Sequence, residues 1–459
     1  MLRLRVRRRR FLGCKLRGDS CMPERRNIVL ITLDSVRADH CSFMGYYRET
    51  TPNIDRMARE GLCFENAIAS EVGTPSSMIT IFTGEYSGIN PTADPRPWRE
   101  VIKNRKTLAQ VLSEKGYATG AFNPNAYASS YYGFNKGFSY FEDFLYSNEQ
   151  SSRGTLRRLY AKIFDIVERE KKGTFSTLRN FMMFLGKEEI FRSWESYYDL
   201  ILKWISKAIN PFFLWVLIID THHPYLAPRR FRKYSNLFEM WYSNYKLQKS
   251  KWKNKLSLRE REWLVNAYDD SIRYADSFIR RLWNDLKNLD PIFIIHADHG
   301  EGFGEHGLYA HHVHFLYEEF IHVPLVIYNA DVKGRIDKPI SLLGLAPTIL
   351  ELIGEENEFP SKSFLNQCED WVVSEVFEGE KRRVAVRMKD WKFITGQKDE
   401  DELYNLKKDP HEQENVINEH PELAKEMKKI AEIHVKQEMK KRRIRERISR
   451  LNVRAAANG

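Results

Sequence analysis

Three long apolar runs each end beside an acid, and this pattern constrains the chain more than any other feature. Asn27–Leu33 reads Asn-Ile-Val-Leu-Ile-Thr-Leu and stops at Asp34-Ser35. Phe212–Ile219 stops at Asp220-Thr221-His222-His223-Pro224. Pro291–His296 stops just before Asp298-His299-Gly300. A continuous rather than alternating apolar run of this length fits a strand buried on both faces, as in a parallel sheet covered by helices. Such sheets carry ligands in the crevice at the carboxyl ends of their strands. The acids therefore fall where chemistry is done.

Helical segments separate the runs. Thr51–Gly61 is amphipathic, with Pro52 near its start and Gly61 at its end. Ser76–Gly84 follows Thr74-Pro75, and Thr107–Lys115 precedes a strand over 116–122. Residues 230–289 have helical spacing, and Pro324–Tyr328 is one more strand. Strand–helix alternation over 27–355 predicts an α/β domain: a mixed, mostly parallel sheet between helices. Residues 145–209 are helical, basic and aromatic, and are expected to form an insertion or lid over the sheet. Beyond 355 the pattern changes. Trp371–Phe377, Arg383–Met388, Trp391–Thr395 and Glu402–Leu406 predict a small antiparallel subdomain within 356–420. A basic helix over 421–459 ends the chain.

The net charge of +11 points to nucleic acid until it is located. Residues 1–26 carry ten Lys/Arg against two acids, and residues 421–459 twelve against five. The rest of the chain is left at −4, so polyanion binding is excluded as the business of the body. The leader, 1–26, is expected to be disordered, with 1–21 outside the chemistry. Its Arg8-Arg9-Arg10-Phe11-Leu12 resembles a twin-arginine signal, but the apolar stretch such a signal needs is missing. No run reaches the ~20 apolar residues of a membrane span, and five scattered cysteines are no disulfide scaffold. A cytoplasmic location is the expectation. The C-terminal helix offers nucleic-acid or anionic-membrane contact, but a solvated helix packed along the body is the favoured reading.

Asp34, Asp298 and His299 are metal-ligand types at strand ends. Thr74 begins a helix, where free N–H groups and the helix dipole favour an anion. A hydroxyl there can coordinate the same metal and be activated by it. His222, His312 and His314 offer donors to the anion and a proton for a leaving oxygen. Each residue alone is more often a cap, turn or surface group. Their joint placement at strand ends is what carries the reading.

The same residues resemble the sulfatase branch of the alkaline phosphatase superfamily. The matching stretches include NIVLITLDSVRADH (27–40), TPSSMITIFTG (74–84), FFLWVLIIDTHHPY (212–225), HADHGEGFGEHG (296–307) and ELYNLKKDPHEQENV (402–416). The resemblance implies an alkaline-phosphatase-like fold, an ester hydrolase and one divalent metal held by Asp34, Asp298, His299 and the nucleophile. Counting back from Phe82-Thr83-Gly84 implies that the nucleophile is Thr74. It also implies that His222 contacts substrate, and that His312 and His314 stand near a Lys/His pair gripping the anion. Asn123 or Asn125 stands where the family has a lysine, and Asn125 is taken as substrate-binding.

The departures matter. Sulfatases oxidise a Cys or Ser to formylglycine, and Thr, a secondary alcohol, cannot become that aldehyde. Met78 replaces the motif arginine, and Ser35 replaces the second acid of the usual Asp pair. A phosphorylated Thr is resolved by metal-assisted attack at phosphorus. Phosphate mono- or diesters are therefore the expected substrates. A sulfuric ester hydrolase without formylglycine, and a transferase of phospho-groups onto glycan or lipid head groups, are the alternatives. Two Asp, one His and an alkoxide suit Mn²⁺, Zn²⁺ or Mg²⁺, whereas Ca²⁺ prefers more oxygens.

Overall fold

The three apolar runs stand side by side at the centre of one sheet. In the computed structural model, which describes residues 25–89, 95–144, 192–249, 256–378, 381–397 and 400–457, strand β1 is Ile28–Leu33. The further strands of this sheet are β2 (Leu62–Ile68), β3 (Ala118–Phe122), β4 (Tyr140–Glu142), β5 (Phe212–Ile218) and β6 (Ile292–Ala297). Two-residue strands β7 (Gly302–Phe303) and β8 (Tyr309–Ala310) form a separate hairpin. Strands β9 (His322–Tyr328), β10 (Gly334–Ile336) and β11 (Ile340–Ser341) complete the main sheet. Its order is β10-β2-β9-β6-β1-β5-β3-β4, with β11 on β2. All pairings are parallel except those β9 makes with β2 and β6.

Register decides where the chemistry falls. Leu33 of β1 is level with Ile218 of β5 and Ala297 of β6, so all three strands end together. The acids that follow must emerge on one edge of the sheet. β1, β5 and β6 are buried throughout, as two-sided burial requires.

Strand β2 is not legible in the sequence, because Leu-Cys-Phe-Glu-Asn-Ala-Ile neither alternates nor runs apolar throughout. It follows helix α1 (Pro52–Glu60) across Gly61 alone. A Cβ at Gly61 would lie 2.3 Å from the Ile327 carbonyl oxygen, so only glycine lets α1 turn this sharply onto β9. Helix α2 (Thr74–Thr83) is buried along its whole length beneath the sheet edge.

Of the expected 145–209 insertion, residues 145–191 lie outside the described residues. The described remainder contains helix α3 (Tyr198–Ile205), which packs on the sheet and not away from it. The Trp204 indole lies so close to Gly120 of β3 that a Cβ there would be 2.4 Å away. The long helix α4 (Leu258–Leu286) begins with a Ser257–Glu260 capping box and covers the sheet with Tyr268, Ile272, Phe278 and Leu282.

The C-terminal unit is the expected antiparallel meander: β12 (Trp371–Glu378), β13 (Lys381–Met388), β14 (Trp391–Gln397) and β15 (Glu400–Asn405). Helix α5 (Pro421–Ala457) lays Ala424, Met427 and Ala431 on Val384, Val386 and Phe393 of this sheet. Bonds of β12 join the unit to the larger domain: among them, Ser374 Oγ donates to Ala69 O at 2.6 Å, Glu375 N to Ser70 O at 2.9 Å, and Tyr86 Oη to Val373 O at 2.8 Å. A buried charge cluster adds to them. Glu318 accepts from Arg387 Nε at 3.1 Å and Lys392 Nζ at 3.2 Å, and Lys392 Nζ lies 2.8 Å from Glu412. Among the described residues, no helix is long and apolar enough to cross a membrane.

Candidate active site

Asp34 is fully buried at the end of β1, where its N–H donates to Ile218 O at 3.0 Å. Ser35 then takes a left-handed conformation, φ 60°, which is costly for a residue with a Cβ. Its partners over-determine it. Ser35 Oγ donates to Asp34 Oδ1 at 2.8 Å, Ser35 N donates to Asp298 Oδ1 at 3.1 Å, and Tyr268 donates to Ser35 O at 2.7 Å. The residue that replaces an acid therefore spans the two that remain.

Asp298 and His299 follow β6 and are also fully buried. His299 Nδ1 is 2.9 Å from Gly300 O, and a carbonyl only accepts, so Nδ1 carries the proton. The Nε2 lone pair is left to face the site. Ligand atoms of Asp34, Asp298 and His299 all lie within 4.8 Å of one another.

Thr74 enters from the opposite side, as the first residue of α2. Gly73 before it has φ 94°, and a Cβ there would come within 2.8 Å of Val313. Glycine is thus required both by the backbone angle and by the loop packed upon it. Thr74 Oγ1 lies 3.4 Å from His299 Nε2 and 3.4 Å from Asn125 Nδ2. Asn125 also donates to Asp34 Oδ2 at 2.5 Å. Ser77, which the sequence did not single out, donates to Asp298 O at 2.6 Å and Glu71 O at 2.9 Å, fastening α2 to the end of β6.

The electrostatics ask for a cation. Burial pushes the Asp298 carboxyl up; His299 opposes this and Asp34 adds to it. Burial also works against a charged His299 ring, yet the Asp298 and Asp34 carboxylates hold it above its ordinary value. Asp298 Oδ2 is buried with no hydrogen-bond partner. Two dehydrated carboxylates, one imidazole lone pair and a hydroxyl at one point fit a divalent ion.

The histidines divide. His222 Nδ1 is 2.6 Å from its neighbour's carbonyl, which fixes the ring; the ring lies 4.9 Å from that of His311. His311 in turn lies 5.4 Å from His299, with its Nδ1 3.7 Å from the buried Glu301. His312 packs near Phe315 and Phe320, and His314 Nδ1 meets the Phe377 carbonyl at 2.6 Å, toward the C-terminal sheet. Four positions, 311 to 314, hold three histidines, and spacing alone does not tell which one turns inward. Val313 packs against Gly73, and of the three it is His311 whose ring lies beside both His222 and His299.

This arrangement agrees with what the chain is similar to. The sulfatase family profile matches residues 26–355, and the profile of the N-sulphoglucosamine sulphohydrolase C-terminal region matches 304–443. An arylsulfatase of Clostridium perfringens is 26% identical over 85% of this chain and 90% of its own. The phosphonate monoester hydrolase of Agrobacterium radiobacter superposes with a TM-score of 0.63 at 17% identity, covering 90% of this chain and 96% of its own. A protein solved with its substrate D-glucosamine-2-N,6-O-disulfate gives 0.61 at 19% identity, covering 90% and 98%. A profile match across the whole α/β domain, on a fold shared with solved members of this group, establishes the chain as a member of the sulfatase family and an ester hydrolase.

Proposed function

We propose that this sulfatase-family enzyme hydrolyses phosphate mono- or diesters, with unmodified Thr74 as its nucleophile. One observation carries the reading: the side chain beside the buried Asp34–Asp298–His299 group is a threonine, which cannot become formylglycine. A formylglycine hydrate releases sulfate by collapsing to the aldehyde. A sulfated threonine has no such exit, whereas phospho-threonine is opened by attack at phosphorus.

Asp34, Asp298, His299 and Thr74 would hold the divalent ion, with Mn²⁺, Zn²⁺ or Mg²⁺ the fitting choices. Such an ion supplies Lewis acidity, favouring the ionised hydroxyl and the charge of the reacting phosphoryl group. Asn125, bonded to Asp34, orients the Thr74 hydroxyl. Thr74 Oγ1, its proton already released to solvent, bonds to phosphorus and the bond to the leaving oxygen breaks. That oxygen takes a proton from His222 or His311, whose rings lie 4.9 Å apart with His311 beside His299. The histidine, now neutral, takes a proton from water as the water attacks phosphorus, and Thr74 leaves as the ionised oxygen it began as. The free N–H groups at the start of α2 face the anion throughout.

A side-by-side measurement of kcat/KM for an aryl phosphodiester, an aryl phosphate and an aryl sulfate tests the reading. Faster sulfate cleavage, lost in Thr74→Ala, would instead establish a sulfuric ester hydrolase. Turnover only when a glycan or lipid alcohol is added would establish a transferase.

A further inference from the structure

The helix Leu237–Lys249 carries large side chains on two opposite faces. Met240, Ser243, Asn244 and Leu247 are buried against the body. Phe238, Trp241, Tyr242 and Tyr245 follow the spacing i, i+3, i+4, i+7, so they share the other face. There Phe238 stacks on Tyr242 with ring centroids 5.6 Å apart, and Trp241 on Tyr245 at 5.6 Å. Trp263 of α4 joins the group, 6.0 Å from Phe238 and 5.9 Å from Tyr242. Phe238 is 57% exposed, and the leucines that begin the two helices, Leu237 and Leu258, are 50% and 86% exposed. One exposed leucine is ordinary, but this concentration on one surface marks an interaction site.

Cations stand around the rings. Lys246 lies over Tyr242 and Lys249 over Tyr245, each 5.7 Å from the centroid, and Arg259 lies 4.9 Å from that of Trp263. Residues 229–249 and 256–263 hold eight Lys/Arg against three acids, in a body whose net charge is −4. The patch is also fastened beside the active site. Asn244 accepts from Tyr225 N at 2.8 Å and donates to Tyr225 O at 3.0 Å, three residues after His222. Leu256 N donates to Tyr309 Oη at 3.1 Å, two residues before His311.

We propose that this face docks on an anionic lipid bilayer. Exposed Phe and Leu side chains enter the acyl boundary, Trp and Tyr suit the head-group level, and Lys and Arg meet lipid phosphates. A sulfated glycan is the less suited partner. A sugar ring stacks on an open aromatic face, but Tyr242, Tyr245 and Trp263 each carry a cation over the ring. Exposed leucines, too, gain nothing from sugar hydroxyls.

The test is co-sedimentation of the full chain with phosphatidylglycerol–phosphatidylcholine vesicles and with phosphatidylcholine alone. Binding at least about tenfold stronger to the anionic vesicles is expected. Replacing Leu237, Phe238 and Leu258 together by Ser should weaken it at least about tenfold. Lys249→Glu with Arg259→Glu should weaken it several-fold, and added salt should shrink that difference. Both variants should keep the wild-type melting temperature, because the replaced side chains are exposed. Equal affinity for both vesicle types, no binding, or wild-type binding by the triple variant would each overturn the proposal. Tighter binding to heparin at the same salt would assign the face to a sulfated glycan instead. A dimer of the chain alone that the triple variant dissolves would assign it to a second copy.

Discussion

Two of the buried charge groups among the described residues differ in whether they are complete. In the cluster of Glu318, Arg387, Lys392 and Glu412, every charge has an opposite charge within 3.2 Å. At the strand ends, Asp34 and Asp298 share one imidazole, and Asp298 Oδ2 accepts no hydrogen bond, His299 Nε2 standing 3.6 Å from it. Both groups pay the desolvation of ions. The first recovers it within the fold and so joins two parts of the chain. The second leaves charge uncompensated, which a folded protein retains where a ligand makes up the balance. Ion pairing, and not burial, is thus what distinguishes the two groups.

The sharpest way to break this comparison is Thr74→Ala. Hydrolysis of an aryl phosphodiester should fall by at least ~10³-fold, with the melting temperature nearly unchanged. A similar loss of stability and activity together would make Thr74 a structural cap. Next in size is Lys392→Ala, which removes one member of the complete cluster and should cost about 3–5 kcal/mol in urea unfolding. Asp298→Asn should behave oppositely. In chelator it should leave stability unchanged or raised, because a carboxylate with an unpartnered oxygen is neutralised. It should also abolish the rise in melting temperature that Mn²⁺ or Zn²⁺ gives the wild type. Destabilisation as large as that of Lys392→Ala would make the strand-end group structural too.

The smallest effect concerns Glu305, near both groups. Burial pushes its carboxyl up, but Arg37 and then Arg261 more than offset this and hold it at about 2. Its stabilising contribution is thus present above the ordinary carboxylate range and is lost as pH falls from about 4.5 toward 2, on the order of 1–2 kcal/mol after solvent screening. Glu305→Gln should flatten the melting-temperature profile over that window, and an unchanged profile would refute the assignment.

How far the sequence carries varies by region. The three central strands were legible because burial on both faces forces a continuous apolar run. The meander was legible because its hydrophobic stretches are short and separated by turns. β2 was not, since its pattern obeys no period and its place is fixed by pairing with β9. Among the site residues, Asp34, Asp298 and His299 were legible from their position after strands. Asn125 was legible only as the residue standing where the family has a lysine. Ser77 carried no signal, and His311 could not be told from its neighbours.

The sequence by itself determined an α/β sheet, the acids at its carboxyl edge and, at position 74, an alcohol that cannot become an aldehyde. These depend on local periodicity and on the covalent nature of a side chain, both of which can be read along one chain. Only the tertiary structure decided that the three strands end level, that Ser35 spans two carboxylates, and that His311 turns toward His222 and His299. Those facts rest on register, on a left-handed residue and on ring contacts between separate loops. Each depends on contacts between segments far apart in the chain, and such contacts leave no repeating mark in either segment alone.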